Sequence, residues 1–125
     1  MEFITSAPIY LQVVDSIKEK IVTGLLAPGE KLPSGRETAV QYKINPNTAA
    51  RVYQTLEQEQ VCFTRRGLGT FVTEDPERIR QLHEEMARNL VKQFLDGLKR
   101  LGITREEAVQ IIQEQADPVV RDAES

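Results

Sequence analysis

One cysteine, Cys62, stands in 125 residues. No disulfide can form within the chain, and a lone thiol fits a cytoplasmic protein. Tryptophan is absent, and His83 is the single histidine. One histidine without cysteine partners makes a poor metal set, and between Glu84 and Glu85 it reads as a solvated helix residue. No run approaches about 18 consecutive apolar residues, so no membrane-spanning helix is expected. The opening MEFITSAPIY lacks the basic start and apolar stretch of a secretion signal. Nucleophile–base pairs, metal-ligand clusters, Walker motifs and dinucleotide fingerprints are also missing. Neither enzymatic chemistry nor a cofactor is expected, and Cys62 reads as a small strand residue rather than a redox sensor.

What is present describes a soluble globular chain: 40% hydrophobic and 28% charged residues. The length allows one ordinary domain, or a small domain with an appendage. The net charge of −3 argues weakly against a polyanion partner, but it is unevenly spread. From Lys31 to Val72 six basic residues face three glutamates, a local charge of +3. From Pro76 to Ser125 eight basic residues face ten acidic ones. Local field steers a charged partner more than the total does. Scatter alone produces such differences, so motifs must decide.

After Pro8, Ile9, Val13, Ile17 and Ile21 recur every four residues beside Val14 and Leu25, which predicts an amphipathic helix ending near Gly24. Pro28-Gly29 marks a turn. Ser34 begins a capping box with Glu37 and predicts a short helix to about Lys43, held by Ala39, Val40 and Ile44. Asn45-Pro46 is the next cap, followed by a helix to about Glu59 with the core stripe Ala49, Val52, Tyr53 and Leu56. Two helices across so tight a turn form a helix-turn-helix. VCFT and TFVT then flank Arg65-Arg66-Gly67-Leu68-Gly69, a hairpin with a glycine loop. Asp75-Pro76 opens a long helix with the stripe Ile79, Leu82, Met86, Leu90, Phe94, Leu98 and Leu101, ending at Gly102. Thr104 and Glu107 make a second capping box, with Ile103 and Ala108 placed as a hydrophobic staple. Its helix carries Val109, Ile111 and Ile112 and is expected to stop at Asp117-Pro118, before a frayed tail.

The fold class expected is mainly α with a small β-hairpin: a winged helix-turn-helix in residues 1–75, then a two-helix dimerisation segment in residues 76–125. In a winged helix the second helix of the turn enters the DNA major groove. Asn47, Thr48, Arg51 and Thr55 lie away from the core stripe, where short side chains permit close approach and Arg51 can reach a base edge. Ser34 and Arg36, at the preceding helix start, would meet the phosphate backbone. Arg65, Arg66, Gly67, Gly69 and Thr70 suit a wing along the sugar-phosphate edge or in the minor groove. Ile79, Leu82, Met86, Leu90, Phe94, Leu98, Ile111 and Ile112 are candidates for a dimer interface. The rival reading is a winged-helix protein-interaction module that docks a partner through the long helix. It would lack salt-dependent DNA binding.

In this order, PIYLQVVDSIKEKIVTGLLAPGEKLPSGRE, NPNTAARVYQTLE and RRGLGTFV resemble the GntR family of bacterial transcription regulators, most closely its short YtrA-like branch. The resemblance implies a transcription regulator that reads double-stranded DNA, with contacts from Arg36, Asn47, Thr48, Arg51 and Gly69 and a compact C-terminal dimerisation segment. A two-fold homodimer would read an inverted repeat, and repression is the expected sense because occupancy alone blocks a promoter. The resemblance leaves no room for the large ligand-binding domain of longer members, so any small-molecule effector would fit between the helices or in the dimer interface. Two departures stand out. Gly35 replaces a larger residue and should loosen its helix start. Gln60 replaces a glycine, and positive φ there would cost roughly 1 kcal/mol.

Overall fold

A computed structural model describes residues 7–115. Among them are five helices and one two-stranded antiparallel sheet: α1 (Ile9–Val22), α2 (Gly35–Tyr42), α3 (Pro46–Gln58), β1 (Cys62–Arg65), β2 (Gly69–Val72), α4 (Pro76–Arg100) and α5 (Arg105–Gln115). The chain forms two compact units that divide between Glu85 and Met86, inside α4.

The N-terminal unit is built around α3, which packs on both α1 and α2. Val13, Val14, Ile17 and Ile21 of α1 and Ala49, Val52, Tyr53 and Leu56 of α3 are buried, as their spacings predict. α2 contributes Thr38, Ala39 and Tyr42 instead of the expected Val40, which is 75% exposed. Thr38, Ala39 and Tyr42 share one face of α2, and Val40, about 200° round from Thr38, falls on the opposite side. Leu25, also placed on the α1 stripe, is exposed beyond the end of that helix, and so is Ile9 at its start.

Tyrosine hydroxyls pin α2 between its neighbours. Thr38 Oγ1 and Tyr53 OH lie 2.7 Å apart, and Tyr53 OH also donates to the Pro33 carbonyl. Tyr42 OH meets Ser16 Oγ at 3.0 Å and accepts from Lys20 Nζ. Each satisfies a polar group that burial would otherwise penalise. Lys43 takes the left-handed conformation (φ 56°) after α2, and its N–H reaches carbonyls at the helix end. Gln60 does the same after α3 (φ 59°), while Val61 N–H bonds to the Leu56 carbonyl. The chain therefore keeps the left-handed turn that glycine would supply, at a cost of roughly 1 kcal/mol.

The hairpin pairs Cys62 with Val72 and Arg65 with Gly69. Phe63 and Phe71 face each other across it, ring centroids 5.7 Å apart. The segment after the Pro28-Gly29 turn runs along the other edge of β2: Gly29 N–H bonds Val72 O, Val72 N–H bonds Glu30 O, and Leu32 N–H bonds Thr70 O. β2 is thus flanked on both edges, by β1 and by this segment.

α4 starts where Asp75 Oδ1 accepts from Glu77 N–H and ends at Arg100, two residues before Gly102, which has φ 71°. Leu82, read as a partner-facing residue, is 1% exposed and lies in the N-terminal unit. Its own chain already covers it, so it leaves the candidate dimer surface. In the C-terminal unit the Thr104–Glu107 capping box forms, and Ala108 is buried. Leu90, Val91, Phe94, Leu95, Leu101, Val109, Ile111 and Ile112 are all exposed. The expected stop at Asp117-Pro118 and the frayed tail lie outside the described residues.

Candidate nucleic-acid interface

Asn45 accepts from Asn47 N–H at 2.8 Å, and Pro46 opens the helix. This cap sets the phase of α3. With Ala49, Val52, Tyr53 and Leu56 turned to the core, Asn47 and Arg51 are exposed and Thr48 and Thr55 half-buried. Spacings of three, four and seven bring these four onto one side. Thr55 Oγ1 donates to the Arg51 carbonyl, so that hydroxyl serves its own helix first.

At the α2 start, Glu37 N–H donates to Ser34 Oγ and Ser34 N–H donates to Glu37 Oε1. The box forms despite Gly35 at the first helical position. Ser34 N–H, then its hydroxyl, hold the Glu37 carboxyl below its ordinary range. Arg36 projects from the same turn, exposed.

The wing turn carries Arg65, Arg66 and Gly67 fully outward and Gly69 and Thr70 half-buried. Arg65 lies over the Phe63 ring, 5.3 Å from its centroid. Thr70 Oγ1 sits 3.1 Å from Thr64 Oγ1, and Thr64 in turn donates to the Glu57 carboxylate. Gly69 has φ 126°, a conformation open to glycine and little else.

Two residues of this region escaped sequence reasoning. Lys31 lays its side chain against Gly69: a Cβ added there would stand 2.8 Å from Lys31 Cε. Tyr10 of α1 lies beneath Arg51, whose Cζ is 3.8 Å from the ring centroid. The charge count included Lys31, but no local pattern points at a wing glycine from so far along the chain. Tyr10 falls off the apolar stripe, and nothing local names α3 as its neighbour.

The electrostatic character follows from pairing. Among the described residues Arg36, Arg51, Arg65 and Arg66 meet no carboxylate at ion-pair distance, whereas Lys18 pairs with Glu59 at 2.6 Å. On α4 the pattern reverses: Arg78 pairs with Glu85, Arg80 with Glu77 and Glu84, and Lys92 with Asp96. Unpaired guanidiniums beside helix starts attract phosphate.

Burial pushes the Cys62 thiol up to about 12, which leaves it protonated and unreactive. His83 is exposed, and among the described residues no group of three or more His, Cys, Asp or Glu could hold a metal. No described helix is long and apolar enough to cross a membrane.

Residues 9–72 match the profile of bacterial regulatory proteins of the gntR family. The chain belongs to the GntR family. It is 43% identical over 109 residues to the HTH-type transcriptional regulator YhcF of Bacillus subtilis, covering 87% of this chain and 90% of that one. It is 44% identical over 71 residues to the transcriptional repressor YtrA of the same organism, covering 57% of this chain and 55% of the relative. A GntR family regulator from Listeria monocytogenes superposes with a TM-score of 0.81 at 39% identity, over 90% of this chain and 98% of that one. This GntR member is therefore a DNA-binding transcriptional regulator, not an enzyme, and its hairpin is the wing of a winged helix-turn-helix.

Proposed function

We propose that the protein is a cytoplasmic repressor that binds an inverted-repeat operator as a homodimer. In this reading residues 1–75 form the DNA-binding part and residues 76–125 the dimerisation part, with Leu82 ceded to the former. α3 enters the major groove, with Arg51 reading a base edge beside Asn47, Thr48 and Thr55. Ser34 and Arg36 meet phosphate, and Arg65, Arg66, Gly67, Gly69 and Thr70 follow the backbone from the wing. The observation that carries this is the set of exposed arginines, Arg36, Arg51, Arg65 and Arg66, left without carboxylate partners among the described residues of a chain whose net charge is −3.

Dimerisation rests on the apolar side chains that the C-terminal unit leaves exposed, Leu90 (67%) and Phe94 among them. A two-fold dimer presents two identical reading helices, so its site is an inverted repeat with half-sites about one helical turn, or a small multiple of it, apart. Occupancy alone blocks a promoter, which makes repression the expected sense, and YtrA carries that name. The test is a titration of Arg51→Ala against a duplex selected by the native protein from a randomised pool. Affinity should fall by roughly 1–3 kcal/mol and preference relax at one base position. Wild-type affinity with an intact fold by circular dichroism would remove α3 from the groove.

A further inference from the structure

The guanidinium of Arg51 lies over the ring of Tyr10. Tyr10 stands on α1 and Arg51 on α3, so the stack joins the arginine to a second helix. The ring is half-buried, and it lies off the stripe Val13, Val14, Ile17 and Ile21 that fills the core, so packing alone does not account for it.

We propose that Tyr10 is a positioning residue for base reading by Arg51. A guanidinium is planar, and its N–H donors lie in that plane. Placed over an aromatic ring with Cζ 3.8 Å from its centroid, it is held without using any donor. All the N–H groups stay available for a base edge, and the long side chain is held in one plane before DNA arrives. Preorganisation of this kind raises affinity by reducing what must be ordered on binding. It also favours the operator over other sequences, because a bidentate contact depends on the orientation of the fork. The inference rests on the assignment of Arg51 to a base.

The experiment is a double-mutant cycle at Tyr10 and Arg51, read on the duplex selected from a randomised pool and on an unrelated duplex. Tyr10→Leu should weaken binding to the selected duplex about three- to fivefold, the size of an exposed cation–π contact. Tyr10→Phe keeps the ring and should stay within about twofold of the native protein. Affinity for the unrelated duplex should not change. In an Arg51→Ala background, Tyr10→Leu should cost nothing further. Tyr10→Met, another variant without a ring, covers the case in which the leucine variant fails to fold. Three results overturn the proposal: native affinity for both ringless variants, an equal loss in Tyr10→Phe (which would put the hydroxyl on DNA), or an undiminished loss in the Arg51→Ala background. If Arg51→Ala alone binds like the native protein, the assignment of α3 falls too. If Arg51→Ala is weak while Tyr10→Leu is not, only the role of Tyr10 falls.

Discussion

The two units use apolar residues in opposite ways. In the N-terminal unit the stripes of α1 and α3 close on each other, and Val13, Val52, Leu56, Val61, Val72 and Leu82 are almost fully buried. Past Met86 the helical period continues unchanged, yet Ala108 is the only buried apolar residue among those described, and Leu90, Val91, Phe94, Leu95 and Ile112 face outward. Three helices and a hairpin can enclose a core, whereas two helices have only one mutual face. Covering each exposed large side chain is worth about 1.5–3 kcal/mol. Periodicity states that a face seeks cover; it does not say whether the cover comes from the same chain. Charge divides along the elements instead: Arg36, Arg51, Arg65 and Arg66 meet no carboxylate among the described residues, while Arg78 and Arg80, on the part of α4 that belongs to the first unit, are paired.

The largest test of this contrast removes the second unit. A fragment ending at Glu85, which retains Leu82, should stay folded, run as a monomer in light scattering, and bind a complete operator about 10²–10⁴-fold more weakly. Leu90→Glu in the whole chain should act similarly. A fragment that still dimerises would move the interface into the first unit and break the contrast.

Next comes a pair of leucines on the same helix. Leu82→Ala should lower stability to urea by about 2–5 kcal/mol, the cost of emptying a core site. Leu90→Ala should leave the fold almost untouched under conditions where the chain is monomeric. Equal losses would mean that Leu90 is covered within its own chain.

Gly69→Glu probes the tight base of the wing. Its backbone conformation should cost about 1–3 kcal/mol of stability without unfolding the chain. The added charge should weaken binding to selected and unrelated duplexes alike. Unchanged DNA affinity would turn the wing away from the duplex.

The smallest effect is a gain. Gln60→Gly should raise the midpoint of urea unfolding by an amount equivalent to roughly 1 kcal/mol, since glycine takes positive φ without strain. A loss would show that the Gln60 side chain contributes more than its backbone costs.

Caps, helix order and the faces of α1 and α3 were legible in the amino-acid order because their causes lie within a few residues. Ser34 reaches Glu37, Asn45 reaches Asn47, Thr104 reaches Glu107, and a stripe repeats every turn. The conditional strain at Gln60 was legible only through the family resemblance, which has a glycine at that place, and φ there is 59°. Tertiary structure decided which apolar residues find cover. Val40 loses its place to Thr38 and Tyr42, whose hydroxyls have partners on α3 and α1. Leu82 is buried while Leu90, two turns along the same stripe, is not. It decided as well which side chain meets which across the chain: Tyr10 under Arg51, and Lys31 against Gly69. Local order is set by torsions and hydrogen bonds of short reach, and the sequence contains those. Burial and stacking depend on what arrives from elsewhere in the chain, and only the packed molecule supplies that.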